Sequence, residues 1–164
     1  MKTSQIIIFT DGSSRGNPGP GGWGSILVEN GNVTELGGGD VLTTNNRMEI
    51  MSAIGALENV KAGSDIIVYT DSNYLINGIT QWIHGWRNNG WRTKAKKDVL
   101  NKDLWMKLYD ATQGKNIMWK HVAGHAGVVG NERCDVIATA FADDMKIKLY
   151  KGPISGYDLP NISS

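Results

Sequence analysis

Two short stretches of the sequence decide the fold, QIIIFTD at residues 5–11 and IIVYTD at residues 66–71. Each is an uncharged, β-branched run that leads into Thr-Asp, which is typical of a strand buried on both faces of a sheet. If the two strands are parallel neighbours, Asp11 and Asp71 emerge side by side at the carboxyl edge of the sheet. Ligands usually bind at that edge in α/β folds.

The segment between these strands predicts a hairpin and a helix. Two strand candidates, residues 23–29 and 33–36, are joined around Asn30-Gly31, a strong hairpin signal. Residues 46–60 carry apolar side chains at helical spacing. The order strand, hairpin, helix, strand then places the first and fourth strands parallel, with a right-handed crossover between them.

The rest of the chain completes an α/β domain over residues 1–145. Residues 72–112 are predicted to be mainly helical, broken by glycines, with Leu100 opening an apolar stripe that continues through the last helix there. A fifth strand candidate spans residues 117–122, and a final helix follows. We expect a mixed five-stranded sheet, part antiparallel and part parallel, flanked by helices. Residues 146–164 are expected to be a loosely docked or mobile tail.

Composition and charge exclude several classes of protein. The 164 residues contain one Cys and no apolar run long enough for a membrane span, so we expect a cytoplasmic protein, a monomer, without a membrane partner. Residues 1–80 carry 4 basic and 8 acidic side chains, whereas residues 81–120 carry 9 basic and 3 acidic. An acidic centre beside a basic arm is the layout expected of a protein that handles a polyanion with bound cations.

Four carboxylates are candidates for one site. Glu49 lies early in the predicted helix after Asn46, and Asp135 near the start of the last helix, so both can join Asp11 and Asp71. Converging carboxylates repel one another unless cations lie between them, and oxygen ligands favour Mg²⁺, with Mn²⁺ as a substitute. Such a cluster suits two ions about 4 Å apart in a phosphodiester displacement. Each residue taken alone is as well explained as a turn or helix-end residue.

Two other motifs have weaker interpretations. Residues 19–24 match G-x-G-x-x-G, but a β-type run follows instead of the helix that a dinucleotide site needs. His121, His125 and Cys134 do not provide an obvious zinc site, because a fourth ligand is missing. His125, between glycines, is better interpreted as a mobile imidazole that relays a proton, although a surface histidine without a function is the simpler alternative.

A basic, Trp-containing stretch spans residues 82–97 and has no acidic side chain. Cations contact phosphates, and indole rings pack against sugars or bases. Trp82 and Trp86, at helical spacing, can equally be packing residues, and we expect both interpretations to hold in part. The candidate contacts are Trp82, Trp86, Trp91, Arg87, Lys94, Lys96 and Lys97.

Taken together, the motifs closely resemble type 1 ribonuclease H of bacteria, from residue 5 to about residue 143. The resemblance rests on stretches along the whole domain: TDGS at 10–13, GNPGPGG at 16–22, TTNNRME at 43–49, YTDS at 69–72, GITQWIH at 78–84, GHAG at 124–127 and NERCD at 131–135.

The resemblance implies a function and roles for individual residues. It implies an endonuclease that cuts the RNA strand of RNA–DNA hybrids by a two-metal-ion mechanism, leaving 5′-phosphate and 3′-hydroxyl ends, and that removes primers and R-loops. Asp11, Glu49, Asp71 and Asp135 would bind Mg²⁺, and His125 would assist proton transfer or product release. Residues 81–100 match the substrate-binding protrusion of the family. The remaining hybrid-binding positions that it implies are Asn17, Asn45, Asn46 and Asn73 in the minor groove and Thr44 and Asn101 at a DNA phosphate.

Two departures from the family pattern affect these expectations. Leu42 stands where some relatives have an Arg of the phosphate pocket, and residues 128–130 are more apolar than the usual loop. Two alternatives remain beside the nuclease: a hybrid-binding module that does not cleave, and an integrase- or resolvase-type nuclease of the same fold. The complete carboxylate set disfavours the first, and the Asn set with the basic arm disfavours the second.

Overall fold

The structure is a computed structural model that describes residues 5–123, 128–159 and 162. The strands are β1 (Ile6–Ser14), β2 (Gly19–Glu29), β3 (Asn32–Thr43), β4 (Asp65–Thr70), β5 (Asn116–His121) and β6 (Lys151–Pro153). The helices are α1 (Asn45–Leu57), α2 (Asn73–Asn77), α3 (Ile83–Asn88), α4 (Lys102–Thr112) and α5 (Val129–Ala142). A π-helical turn (Gly78–Trp82) joins α2 to α3, and a 3₁₀ turn (Ile154–Gly156) follows β6.

The strands form one mixed sheet in the order β5-β4-β1-β2-β3-β6. β1 pairs in parallel with β4, from Ile6 opposite Ile66 to Phe9 opposite Tyr69, which confirms the predicted neighbours. β4 and β5 are also parallel, and β1, β2 and β3 form the antiparallel part. The expectation of five strands is wrong by one, because β6 pairs with the start of β3.

The hairpin between β2 and β3 has the geometry that its sequence predicts. Glu29 pairs with Asn32, which leaves Asn30 and Gly31 as a two-residue loop with φ of 50° and 75°. Positive φ at both positions matches the twist of antiparallel strands, which is why Asn-Gly is favoured there. Both strands are longer than predicted, because their glycines stay in the ladder instead of forming loops.

Glycines on β2 and β3 let α5 lie directly on the strand backbone. A Cβ atom on Gly22 would lie 2.2 Å from the carbonyl oxygen of Ala138, and one on Gly24 would lie 2.5 Å from that of Cys134. Real side chains do not tolerate such distances, so only glycine permits this approach. The close packing brings the start of α5 next to the carboxyl edge of the sheet.

Two apolar clusters lie on opposite faces of the sheet, because successive residues of a strand point to opposite sides. One cluster packs α1 and α4 on the sheet, and its members include Ile8, Ile50, Ile54, Trp105 and Leu108. The other lies under α5 and the C-terminal segment, and its members include Phe9, Ile26, Val28, Val33 and Cys134.

The helical region between β4 and β5 differs from the prediction at its glycines. The ring of Trp105 packs on Gly78, where a Cβ atom would lie 2.0 Å from it, and the chain continues through a π-helical turn instead of breaking. Gly85 lies within α3 and does not end it. Leu100 was expected in the apolar stripe but precedes α4 and is 74% exposed, and Trp105 is the fully buried residue instead.

The described part of the C-terminal segment is packed on the sheet, in contrast to the loose docking expected from the sequence. β6 adds to the edge of β3, and Ile162 is buried in the cluster under α5. Tyr150 and Tyr157 both donate hydrogen bonds to the buried carboxylate of Glu35. Throughout the described ranges, no helix has both the length and the apolar character needed to cross a membrane.

Candidate active site

The site lies where β1 and β4 separate. Their parallel pairing stops at Phe9 opposite Tyr69, while β1 continues alongside β2 to Ser14. The sequence led us to expect Asp11 at the end of its strand. Asp11 lies instead within β1, just beyond the last residue of β1 that pairs with β4. Asp71 follows the last residue of β4. The separation opens a gap into which both carboxylates point, as members of one cluster.

Gly12 allows α1 to deliver Glu49 to this gap. A Cβ atom on Gly12 would lie 2.4 Å from the backbone nitrogen of Glu49, so β1 and α1 touch through their backbones. Thr44 caps α1 by accepting a hydrogen bond from the backbone N–H of Arg47 at 3.2 Å. The first turn of α1 is thus fixed at both its cap and its contact with the sheet, and Glu49 is buried beside Asp11.

Three of the four predicted carboxylates form a tight group. One oxygen each from Asp11, Glu49 and Asp71 lies within 4.8 Å of the others. Asp135, exposed on α5, lines the same cleft of about 450 Å³ but stands outside that group. The structure therefore places all four on one cleft, with Asp135 at its rim.

The electrostatics of the cleft favour a bound cation. Burial and the negative charge of Asp71 raise the pKa of Asp11 from 3.8 to about 7. Burial and the charges of Asp11 and Asp71 raise the pKa of Glu49 well above its ordinary value. Glu49 Oε2 is buried without a hydrogen-bond partner among the described residues. A divalent cation that prefers oxygen ligands would satisfy that atom and relieve the repulsion, so the residues fit Mg²⁺ or Mn²⁺.

The polar residues expected to bind a hybrid differ in burial, and Asn45 is the one among them that lines the cleft. Asn45 lines the cleft and accepts a hydrogen bond from the backbone N–H of Ser14 at 2.7 Å. Asn101 has a left-handed φ of 62° and donates to the hydroxyl of Tyr74 at 3.0 Å. Thr44, as the α1 cap, is half-buried. The other three predicted contacts are exposed: Asn17, Asn46 and Asn73.

The basic stretch divides into packed rings and exposed charges. Trp86 packs on Trp105 with ring centroids 5.5 Å apart, and Trp82, 40% exposed, packs on Trp86 at 6.0 Å. Trp91 also contacts the core. Arg87 lies over the ring of Tyr109 at 4.0 Å. The lysines Lys94, Lys96 and Lys97 are all exposed.

Three further predictions from the sequence concern His125, Cys134 and residues 19–24. His125 lies outside the described residues, so its predicted proton relay stays a prediction. Cys134 is fully buried on the sheet-facing side of α5, and the described residues contain no group of His, Cys and carboxylates suited to zinc at that place. Residues 19–24 belong to β2, so the G-x-G-x-x-G match lacks its helix.

Asn131 links two walls of the cleft and was not among the site residues predicted from the sequence. Asn131 on α5 donates from Nδ2 to the carbonyl oxygens of Thr10 and Tyr69, at 3.2 and 3.1 Å, just where β1 and β4 separate. It also lines the cleft. Its position in the NERCD stretch is the only signal that pointed to it.

Carboxylates clustered at the carboxyl edge of an α/β sheet are suited to a metal-dependent enzyme that cleaves phosphodiester bonds. The RNase H family model matches residues 3–143. The ribonuclease H of Maricaulis maris is 57% identical over 136 residues, which cover 82% of this chain and 91% of that protein. The ribonuclease H of Alcanivorax borkumensis is 50% identical over 143 residues, covering 87% and 95%.

Solved structures agree with these sequence relatives. LC9-RNase H1, a type 1 RNase H with the type 2 active-site motif, has a TM-score of 0.78 at 28% identity, covering 92% of this chain and 78% of that one. LC11-RNase H1 in complex with an RNA/DNA hybrid has a TM-score of 0.64 at 25% identity, covering 85% and 97%. The chain belongs to the ribonuclease H family. It is a hydrolase of the nuclease type.

Proposed function

We propose that the chain hydrolyses the RNA strand of RNA–DNA hybrids with Mg²⁺, or Mn²⁺ in its place, leaving 5′-phosphate and 3′-hydroxyl ends. The observation that carries the proposal is the group of Asp11, Glu49 and Asp71, with oxygens within 4.8 Å of one another. A related protein, LC11-RNase H1, has been solved with an RNA/DNA hybrid, which supports the same substrate here. Removal of primers and R-loops is the cellular role that this activity fits.

The chain's own residues would hold and orient the reacting groups. Asp11, Glu49 and Asp71 offer the inner oxygen ligands, and Asp135 offers another from the rim. Divalent cations bound there supply Lewis-acid polarisation of the scissile phosphate and stabilise charge on the leaving oxygen. His125 is assigned proton transfer or product release on the resemblance alone.

To select a hybrid, the protein must recognise one RNA strand and one DNA strand. Exposed amides around the cleft can reach the minor groove, where 2′-hydroxyls distinguish RNA from DNA. The exposed lysines of residues 94–97 supply charge for phosphate contacts. Trp82 offers the most accessible indole of that stretch, whereas the packing of Trp86 supports a structural part for it. The buried free thiol of Cys134 suits the reducing cytoplasm, and a monomer stays our expectation.

The test is cleavage of a labelled RNA–DNA hybrid in Mg²⁺, beside double-stranded DNA and double-stranded RNA of the same sequence. We expect cleavage of the RNA strand of the hybrid alone. Asp11→Asn should abolish cleavage but retain hybrid binding in Ca²⁺. Cleavage of all three substrates would contradict the proposed selectivity, and binding without cleavage by the unaltered protein would identify a hybrid-binding module instead.

A further inference from the structure

Glu35 on β3 is a buried carboxylate outside the cleft that joins three parts of the chain. Its side chain is 1% exposed and accepts two hydrogen bonds from Arg133 on α5, from Nε at 2.7 Å and Nη2 at 2.9 Å. The C-terminal segment supplies two more, from the N–H of Tyr150 at 2.9 Å and the hydroxyl of Tyr157 at 2.6 Å. We call these four residues the Glu35 hub.

The charges of the hub are stable within the fold. Burial alone would raise the pKa of Glu35, but the hydrogen bonds from Arg133, Tyr157 and Tyr150 outweigh it and hold that pKa below its ordinary value. Burial and the bond to Glu35 raise the pKa of Tyr157, so its hydroxyl remains a donor. A buried carboxylate that has all its hydrogen-bond donors holds them firmly in place. Moving one donor away is costly, because it leaves part of the buried negative charge uncompensated.

Arg133 lies on α5 between two residues of the cleft. Asn131 fastens one side of the helix to the carbonyl oxygens of Thr10 and Tyr69. Asp135 is four residues after Asn131 and therefore on the same face, whereas Arg133 points away from both toward β3. The backbone contacts of α5 with β2 hold the buried side of the helix, and the bonds of Asn131 and Arg133 on two other sides further restrain its rotation about its own axis.

We propose that the Glu35 hub is a positioning device for the active site, which sets the rotation of α5 and thereby places Asp135 at the rim of the carboxylate cleft. The inference rests on the proposed function, because it assumes that Asp135 helps to hold a cation. A helix with its side chains is about 10–12 Å across, so a rotation of about 10° moves a side-chain tip by about 1 Å. A displacement of that size at a reacting centre lowers rates by about 100-fold. The C-terminal segment, outside the cleft, thus becomes part of the catalytic geometry.

The test compares two tyrosine hydroxyls of the same segment. Tyr157→Phe removes a donor to Glu35, whereas Tyr150→Phe removes only a hydrogen bond to the carbonyl oxygen of Pro153. The two rings pack on each other at 5.0 Å, so the variants are matched in type and place. Glu35→Gln is a second perturbation of the hub. Binding of Mn²⁺ alone is measured by calorimetry well below the melting temperature of each variant, and kcat and KM for the hybrid are measured separately.

We expect Tyr157→Phe and Glu35→Gln to weaken Mn²⁺ binding by about 10-fold, because Asp135 would lose its place at the rim of the cleft; groups that orient metal ligands contribute about 10- to 100-fold to affinity. Their kcat should fall while KM for the hybrid stays unchanged, because no hub residue is among the predicted hybrid contacts. Tyr150→Phe should match the unaltered protein in both. If Tyr157→Phe lowers only the melting temperature and binds Mn²⁺ normally, the hub serves stability alone and the inference is wrong. If the unaltered protein binds Mn²⁺ but cleaves no hybrid, the proposed function fails, whereas the calorimetric comparison still decides the role of the hub.

Discussion

Gly12→Ala should separate the two elements that bring Asp11 and Glu49 together. The new Cβ atom would lie 2.4 Å from both the backbone nitrogen of Glu49 and the carbonyl carbon of Met48, whereas ordinary contact begins at 3.4 Å. Both neighbours are backbone atoms, so no side chain can turn aside, and β1 and α1 must move apart by about 1 Å. We expect kcat to fall by about 100-fold, with a loss of about 1–3 kcal/mol in the free energy of unfolding.

The assay is steady-state cleavage of a hybrid in saturating Mg²⁺, with urea unfolding on the same samples. Ile54→Val is the matched control, because it lies on the same helix, is buried in the core and leaves the backbone contact at Gly12 intact. It should lose about 1 kcal/mol of stability and keep its kcat. A Gly12→Ala variant with kcat and stability near those of the unaltered protein would contradict this expectation, because it would show that α1 adjusts without moving Glu49.

Three further predictions concern charge. Because the pKa of Asp11 is raised to about 7, its contribution to the stability of the metal-free protein is complete below about pH 4 and is lost as pH rises through 7. Asp11→Asn should therefore flatten urea-unfolding stability against pH in EDTA, and parallel curves for the two proteins would contradict this. Replacing Lys94, Lys96 and Lys97 by Ala should raise KM and weaken its salt dependence, with kcat little changed; an unchanged salt slope would exclude phosphate contacts there. Leu42 is 65% exposed and lies two residues before Thr44, the cap of α1. The Leu42→Arg variant should have a lower KM for the hybrid, because it adds a cation that can contact a phosphate. An equal or higher KM would show that no phosphate passes near this position.

The sequence predicted those parts of the fold that depend on local patterns. The β-branched runs ending in Thr-Asp identified β1 and β4 as neighbours, because burial on both faces and a helical crossover leave few other arrangements. Asn30-Gly31 identified the hairpin, since few other residues adopt positive φ at two successive positions. The clustering of Asp11 with Asp71 followed from the same strand pairing.

Other parts depend on contacts between distant residues and left no local signal. Glu35 lies in an ordinary strand pattern, and its burial is acceptable only because Arg133, 98 residues away, pairs with it. The packing of residues 150–157 follows from that pairing and from Tyr157, and a composition typical of loops gave no sign of it. At Gly78, the ring of Trp105 decides the local conformation, which helix propensity alone does not foresee.

The glycines of β2 that contact α5 limit how this protein can be engineered. Because Gly22 and Gly24 meet the carbonyl groups of the helix directly, backbone contacts help to set the spacing between helix and sheet. Design that replaces these glycines to gain stability would place a Cβ atom between β2 and α5. The helix would then move away from the sheet and take Asp135 away from Asp11, Glu49 and Asp71. Thermostable variants of this enzyme should accordingly be sought by volume-conserving exchanges among the aliphatic side chains on the far side of the sheet, away from the backbone contact between Gly12 and α1 that positions Glu49.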